Sequence, residues 1–219
     1  MIRSIITDIE GTTTPISFVH RVLFPYARER LPDFLQFSPE HPALINVPKP
    51  RLETLIKWMD QDEKETALKS IQGEIWKGGF ANGHLKGEVY ADVPPALQSW
   101  SHGGINLYIY SSGSVDAQRL LFSHTAYGDL TGMFKAFFDT NVGSKKESNS
   151  YLKILAAIGG QASDTLFLSD AAAELDAASA AGLSTCQLVR PEDKTVPCNR
   201  HQLAHDFYDV SNLYGLPRE

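Results

Sequence analysis

The sequence predicts an α/β fold: a Rossmann-like parallel sheet core flanked by helices, with a mostly helical cap inserted after the first strand. Two observations lead to this prediction. From Val93 onward, short apolar runs alternate with helical patterns, and strands that alternate with helices form parallel sheets through crossover connections. Residues 15–90 instead show helical periodicity without a convincing buried strand. We therefore expect a core domain of residues 1–14 and 91–219 and a helical cap of residues 15–90.

The elements of the first part follow from local patterns. Ile2–Thr7 is rich in β-branched residues and is the first predicted strand. Helical periodicity begins after Pro15, with Ser17 as a candidate N-cap and Pro25 as an expected kink. Two further helices are indicated by apolar residues at helical spacing, namely Leu52, Leu55, Ile56 and Met59, then Leu68, Ile71 and Ile75. Glycines are expected to close this stretch with a loop, namely Gly78, Gly79, Gly83 and Gly87.

The second part is predicted to alternate helices with strands. Helices are expected at about Pro94–Ser101, Val115–His124, Ser148–Ile158 and Ala171–Ala181. Strands are expected at Ile105–Tyr110, Ala136–Phe138, Thr165–Leu168 and Thr185–Val189. The stretch from Arg190 to Glu219 shows no clear element, and within it Phe207, Tyr208 and Leu213 are expected to cover the core.

Composition excludes several classes of function. The 219 residues are 42% hydrophobic and 21% charged, which is ordinary for a soluble globular protein. The net charge is −6 and there is no basic run, whereas nucleic-acid binding needs a clustered basic face. No segment approaches the ~20 apolar residues that span a bilayer, and no signal-peptide pattern is present. Cys186 and Cys198 lack metal-binding spacing, so we interpret them as reduced thiols in a cytoplasmic protein.

Polar residues follow several of the predicted strands. Residues just after parallel strands gather at one edge of a sheet, so we expect four groups to meet: Asp8 and Glu10, Ser111–Ser114, Lys145, and Asp170 with Glu174. Asp8 and Glu10 are two positions apart and would point the same way from a strand. A carboxylate beside a hard cation can attack phosphorus, and an acid two residues on can protonate the leaving oxygen and later activate water.

The other groups complement this pair. Asp8 and Asp170 offer oxygen ligands for Mg²⁺, an ion that binds few carboxylates and keeps waters for a substrate phosphate. Ser111 and Ser112 offer hydroxyls and, at a helix start, backbone N–H groups suited to phosphate oxygens. Lys145 adds a positive charge for the anion and the carboxylate. The pattern indicates phosphoryl-transfer chemistry on a small-molecule phosphate.

This ordered set resembles the signature of the haloacid dehalogenase superfamily of phosphohydrolases. That signature is an Asp-x-Asp-Gly-Thr-like motif, a Ser or Thr at a strand end, a Lys, and then an acidic pair. The chain departs from it at Glu10, where most members carry Asp. With Glu at this position, the chain is similar to the enolase-phosphatases of methionine salvage. The similarity extends to Val22–Ala27, Leu68–Trp76, Tyr108–Ser114, Phe138–Thr140, Gly143-x-Lys145, Ser150-Tyr151, Phe167–Asp170 and Glu174–Ala178.

The resemblance implies an enzyme that uses one Mg²⁺ per chain and acts on 2,3-diketo-5-methylthiopentyl-1-phosphate. It would enolise this substrate and then remove the phosphate, giving the acireductone 1,2-dihydroxy-3-keto-5-methylthiopentene. The resemblance implies that Asp8 is the nucleophile and a metal ligand, and that Asp170 is a second metal ligand. Glu10 is implied as the acid/base, with a metal contact through its backbone carbonyl. Ser111, Ser112 and Lys145 are implied to bind phosphate, with Lys145 also catalytic, and Glu174 is implied as an acid that supports these residues without contacting the substrate. The family pattern selects Lys145 over Lys146, since it lies two residues after Gly143.

Two alternatives stay open. The first is another haloacid dehalogenase-type phosphatase acting on a sugar or small organic phosphate, which would carry Asp at position 10. The second is a non-catalytic receiver-like phosphoacceptor module, which would place the accepting Asp on a later strand. We expect the protein to be a monomer that acts on a small-molecule phosphate and has no nucleic-acid or membrane partners. In the favoured reading the cap closes over the site, with Phe18 and His20 as candidates for contacting the methylthio end.

Overall fold

The computed structural model describes residues 1–63 and 65–218, and within them six strands form one sheet. The strands are β1 (Ser4–Thr7), β2 (Asn106–Tyr110), β3 (Phe134–Phe138), β4 (Thr165–Ser169), β5 (Ser184–Leu188) and β6 (Gln202–Ala204). Their order is β3-β2-β1-β4-β5-β6, and every neighbouring pair is parallel. The predicted α/β class is therefore confirmed. In the centre of the sheet, Thr7 of β1 lies opposite Ile109 of β2 and Leu168 of β4.

The chain divides into two compact units, one of Met1–Ile16 with Gly87–Glu219 and the other of Ser17–Lys86. The first unit holds the sheet. Its α-helices are Val93–His102, Val115–Ser123, Ser148–Ile158, Ala172–Ala180 and Phe207–Tyr214. Buried aliphatic and aromatic side chains of the strands pack against these helices, for example Ile6 and Phe167 against Tyr151. No helix in the described residues is both long and apolar enough to cross a membrane. Cys186 and Cys198 are both free thiols, as predicted.

The C-terminal stretch contains two elements that the sequence did not indicate, β6 and the helix Phe207–Tyr214. β6 has three residues at the sheet edge, which is too short for a periodic pattern. The helix is capped by Asp206, whose carboxylate accepts the N–H of Asp209 at 2.7 Å. Phe207 is fully buried, but Tyr208 and Leu213 are 46% and 47% exposed. The expectation that the latter two cover the core was therefore wrong, because the short helix turns them towards solvent.

In its described residues the second unit contains helical segments joined by turns and loops, and no strand. It contains helical segments at Ser17-Phe18 (the end of Ile16–Phe18), Val19–Leu23, Phe24–Phe37, Pro42–Asn46, Arg51–Asp60 and Thr66–Ala81. Its core consists of aliphatic residues from these segments, namely Ala27, Leu31, Leu44, Val47, Leu55, Leu68, Ile71 and Ile75. The predicted apolar spacing of the last two helices thus corresponds to one buried face.

One local expectation for this unit was wrong. The first helical segment begins at Ile16, so Ser17 is not its N-cap. Pro25, the expected kink, lies in the first turn of Phe24–Phe37, and Leu23 and Phe24 before it keep right-handed helical backbone angles. The irregularity lies before it, in the π-helix Val19–Leu23, where the N–H of Phe24 reaches back five residues to the carbonyl of Val19.

The glycine pair at 78–79 does not end its helix, which continues to Ala81. A Cβ on Gly79 would lie 2.7 Å from the ring of Tyr26 and 2.8 Å from Leu85. The residue is therefore glycine because neighbouring side chains approach its backbone closely. The predicted loop begins only after the helix, and there Gly83 has a positive φ of 71°.

Candidate active site

Asp8 directly follows β1 and is held by the loop that it begins. Its N–H donates to the carbonyl of Leu168 at 2.9 Å, which extends the pairing of β1 with β4. Its Oδ1 accepts the N–H of Ile9 at 2.7 Å. The chain then turns sharply, since three successive N–H groups donate to the carbonyl of Ile9, those of Thr12, Thr13 and Thr14. The carboxylate of Asp8 is therefore buried and fixed at the carboxyl end of the central strand.

Lys145 makes direct contact with two of the predicted acids. Its Nζ lies 2.5 Å from Oδ1 of Asp8 and 2.7 Å from Oε2 of Glu174, and the lysine is buried. Ser169, the last residue of β4, donates its hydroxyl to the same Oε2 at 2.9 Å. Lys146, by contrast, is exposed. The structure thus joins residues from three separate parts of the sequence in one buried ion-paired cluster.

Two tyrosines that sequence reasoning did not select hold the backbone around Lys145. The hydroxyl of Tyr110, at the end of β2, donates to the carbonyl of Gly143 at 3.0 Å. The hydroxyl of Tyr151 donates to the carbonyl of Lys145 at 2.7 Å. The two rings meet edge to face at 5.5 Å, and the Lys145 ammonium lies 5.9 Å from the centroid of the Tyr110 ring. In the sequence, the feature that could have pointed to these residues is a tyrosine within a predicted buried segment, since a buried phenol needs a hydrogen-bond partner.

Asp170 lies against the turn that follows Asp8. A Cβ on Gly11 would stand 2.7 Å from the carboxyl carbon of Asp170, and Gly11 has a positive φ of 70°. Only glycine satisfies both conditions, because other residues rarely adopt this backbone conformation and would clash with the carboxylate. The acid after β4 and the turn after β1 are therefore in close contact.

The charges of the cluster are unbalanced. Burial and the negative charge of Asp8 raise the pKa of Asp170 to about 7. Burial, followed by the charge of Asp8, also raises the pKa of Glu174, although Lys145 opposes this. Burial lowers the pKa of Lys145, but the charges of Asp8 and Glu174 outweigh it, so the net shift is upward. Carboxylates outnumber cations at this edge of the sheet, and Lys145 stays charged.

Glu10 and the two serines also lie at this edge. Glu10 is partly buried within the turn and forms a backbone bridge with Thr14. Ser111 directly follows β2, and its N–H donates to the carbonyl of Phe138 at 3.1 Å. Its Oγ accepts the N–H of Gly113 at 3.4 Å. Ser111 is buried and Ser112 is exposed, both just before the helix Val115–Ser123.

The donor set fits a hard divalent cation. Within residues 1–63 and 65–218, no three His, Cys, Asp or Glu side chains form a cluster that could hold a metal ion alone. Mg²⁺ does not require one, because it binds one or two carboxylates and completes its coordination with waters and substrate oxygens. Burial first, and then the negative charges of Asp8 and Glu174, raise the pKa of Asp170, and a cation held here would favour its charged form. This edge of the sheet therefore offers oxygen ligands and negative charge, which together favour binding of Mg²⁺.

A parallel sheet with an acid-led turn after its central strand is the arrangement of haloacid dehalogenase-like hydrolases, and the model of that family matches residues 2–182. The enolase-phosphatase E1 of Granulibacter bethesdensis is 50% identical to this chain, over 98% of this chain and 97% of the relative. The protein of the same name from Gluconacetobacter diazotrophicus is 48% identical over 99% and 96%. The chain belongs to the enolase-phosphatase E1 family of haloacid dehalogenase-like hydrolases.

A solved structure shares this architecture. The UTR4 protein of Saccharomyces cerevisiae superimposes with a TM-score of 0.81 at 34% sequence identity, covering 94% of this chain and 98% of the yeast chain. The similarity therefore includes both the sheet-containing and the helical parts of the sequence.

Proposed function

We propose that the protein enolises 2,3-diketo-5-methylthiopentyl-1-phosphate and then dephosphorylates it to the acireductone 1,2-dihydroxy-3-keto-5-methylthiopentene. The observation that carries this proposal is the buried contact of Lys145 with Asp8 at the end of β1. It gives a chain of the enolase-phosphatase family a carboxylate paired with a buried ammonium at the ligand-binding edge of the sheet. Since the chain belongs to a hydrolase family, the receiver-like alternative is set aside.

Asp8 is the proposed nucleophile. Its contacts with Lys145 and with the N–H of Ile9 both fall on Oδ1, so we assign Oδ2 as the attacking oxygen. Attack of Oδ2 on phosphorus forms an aspartyl-phosphate while the bond between phosphorus and the substrate oxygen breaks. Glu10 gives its proton to the departing enol oxygen, then takes a proton from the water that hydrolyses the acyl phosphate. Phosphate leaves and Asp8 returns to its starting form.

The phosphate group is assigned to Ser111, Ser112 and Lys145. The two serines precede the helix Val115–Ser123, and their hydroxyls can donate hydrogen bonds to phosphate oxygens. The ammonium of Lys145 offsets negative charge on both the nucleophile and the phosphate, and its burial strengthens this interaction. Glu174 is assigned to hold Lys145 in place, because it contacts the same ammonium at 2.7 Å.

One Mg²⁺ per chain is proposed, held by the carboxylates of Asp8 and Asp170 and by the backbone carbonyl of Glu10. When bound, the ion supplies positive charge that stabilises negative charge on substrate oxygens. Enolisation requires a base near the carbon that loses its proton. That base keeps the proton until it gives it to the departing oxygen, while the enolised carbonyl oxygen takes a proton from solvent; the proton later taken from water is released to solvent. Glu10 is the candidate, because its side chain reaches one methylene further than the Asp that most members of the haloacid dehalogenase superfamily carry at this position. The unit Ser17–Lys86 is the proposed cap; within it Phe18 is buried and His20 exposed.

The test is incubation of the purified protein with the diketone phosphate and Mg²⁺, following the enol and acireductone by absorbance and the phosphate by colorimetry. Sequential appearance of enol, acireductone and phosphate with many turnovers supports the proposal. Rapid hydrolysis of sugar phosphates without either chromophore would favour the general phosphatase. Gel filtration in the same buffer tests the proposed monomer. The net charge of −6 and the lack of a basic run support the proposed absence of nucleic-acid partners; a cytoplasmic location without membrane partners is proposed with it.

A further inference from the structure

Two buried polar side chains lie at the carboxyl end of β5, and the mechanism above does not use them. Gln187, within β5, is 1% exposed. Its Nε2 donates to the carbonyl of Asp170 at 2.8 Å and to that of Val196 at 3.0 Å, and its Oε1 accepts the N–H of Cys198 at 2.8 Å. Gln187 therefore fixes the main chain of the acid that follows β4.

Arg190 follows β5 and is 3% exposed. Its Nε and Nη2 donate to the carbonyl of Thr12 at 3.2 and 2.8 Å. Its Nη1 and Nη2 also donate to the two carboxylate oxygens of Asp92, at 2.9 and 3.0 Å. The guanidinium lies 4.0 Å from the centroid of the Tyr90 ring. Arg190 thus clamps the turn that follows the nucleophile and is itself held by a bidentate ion pair.

Gln187 and Arg190 hold the two segments that meet where Asp170 packs on Gly11. Gln187 binds the main chain of Asp170, whose carboxylate packs on Gly11. Arg190 binds the peptide of Thr12, one residue after Gly11. Glycine has a wider range of allowed φ and ψ angles than any other residue, so the position of Gly11 depends on the groups that hold its neighbours. The distance between Asp8 and Asp170 is consequently fixed by Gln187 and Arg190, which both lie more than a dozen positions after Asp170 in the sequence.

We propose that Gln187 and Arg190 are positioning residues that set the spacing between Asp8 and Asp170 and thereby the affinity of the site for Mg²⁺. The inference rests on the metal-binding part of the proposed function and not on the identity of the substrate. Groups that orient metal ligands without touching the ion typically change affinity or activity by about 10- to 100-fold when they are replaced. A purely structural role would instead lower the melting temperature without changing the affinity for the ion.

The experiment is calorimetric titration of the substrate-free protein with Mg²⁺. Arg190→Lys keeps the charge but cannot make two N–H contacts with Thr12 and two with Asp92 at once, because lysine has a single nitrogen. Gln187→Met keeps the length and loses every hydrogen bond. Both variants should raise the Kd for Mg²⁺ about tenfold. The matched control is Arg200→Lys, since Arg200 makes a comparable two-point ion pair with Asp176 on the surface. Its Kd should equal that of the wild type.

The outcomes separate the two roles. A melting temperature lowered in Arg190→Lys with an unchanged Kd would overturn the inference and leave a structural arginine. If Arg190→Lys does not fold, the Kd of Gln187→Met decides: a tenfold rise supports positioning, and a wild-type value refutes it. A wild-type protein that binds Mg²⁺ but leaves the diketone phosphate unchanged would refute the proposed substrate. In that case the Kd shifts of the variants would still support the positioning role.

Discussion

Removal of the Lys145 ammonium tests the centre of the site. In Lys145→Ala, the carboxylates of Asp8 and Glu174 lose the cation that they share at 2.5 and 2.7 Å. Two buried negative charges would then face one another without compensation. We expect lower stability and lower turnover, and the two effects have different causes and can be measured apart.

The stability loss follows from the burial of the pair. Breaking a buried ion pair by removing one partner costs about 3–5 kcal/mol, because the remaining charge is left in a poorly solvated place. Glu174 already has a raised pKa, and without Lys145 that pKa should rise further. A carboxyl whose pKa is higher in the folded than in the unfolded protein binds its proton more tightly when folded. The variant should therefore recover stability as the pH falls, and the deficit should be largest above the folded pKa of Glu174.

The loss of turnover follows from the missing positive charge. A preorganised group that faces developing negative charge contributes about 100- to 1000-fold in kcat, and we expect a reduction of this order in Lys145→Ala. The assays are urea unfolding at several pH values and phosphate release at saturating Mg²⁺. Lys146→Ala is the matched control, because it removes the neighbouring exposed lysine and should change neither quantity.

A double variant separates the two effects. Lys145→Ala with Glu174→Gln removes one of the two uncompensated charges, so it should recover part of the stability but none of the turnover. Equal losses of turnover in Lys145→Ala and Lys146→Ala would refute the assignment of Lys145. A Lys145→Ala protein that is destabilised but turns over at the wild-type rate would refute the electrostatic argument.

Four further predictions concern the acids of the site and the turn after β1. Asp8→Asn should abolish phosphate release while circular dichroism stays native, and sustained turnover would contradict nucleophilic attack by this residue. Glu10→Asp should slow the appearance of the enol chromophore, since its shorter side chain reaches less far; an unchanged enolisation rate would remove Glu10 as the base. Because Asp170 keeps its proton below about pH 7, Mg²⁺ affinity measured by calorimetry should rise as the pH increases through 7 and fall below it. Gly11→Ala should lose about 1–3 kcal/mol in urea unfolding from backbone strain, with weaker Mg²⁺ binding from the contact with Asp170.

The meeting of the strand-end acids was predictable, because parallel strands gather their carboxyl ends at one edge of the sheet. The choice of Lys145 over its neighbour Lys146 came from the resemblance to the family pattern. Asp8, Asp170 and Glu174 each follow a strand whose apolar residues are plain in the sequence. Their spacing in three dimensions then follows from the order of the strands. The broad architecture followed from the same alternation.

Gln187, Arg190 and the two tyrosines were not predictable in this way. Each of them donates to backbone carbonyls outside its own helix or strand, such as that of Thr12 for Arg190 and that of Gly143 for Tyr110. Every residue carries a backbone carbonyl, so the sequence does not show which carbonyl will accept a given hydrogen bond. The same reason explains Gly79, whose identity depends on a tyrosine ring more than fifty residues earlier. Contacts of this kind appear only when the chain is folded.

The central place of β1 has a consequence for synthesis on the ribosome. β1 pairs with strands that begin about 100 and about 160 residues later in the chain. At about 5–20 residues per second, many seconds pass between the emergence of this strand and that of its second partner. Until β2 emerges, the apolar residues of β1 have no strand to pair with, and until β4 emerges one edge of β1 stays unpaired; long-range pairing of this kind is slow to form. Nascent β1 is therefore the segment of this protein that we expect to depend most on a chaperone that shields exposed apolar strands.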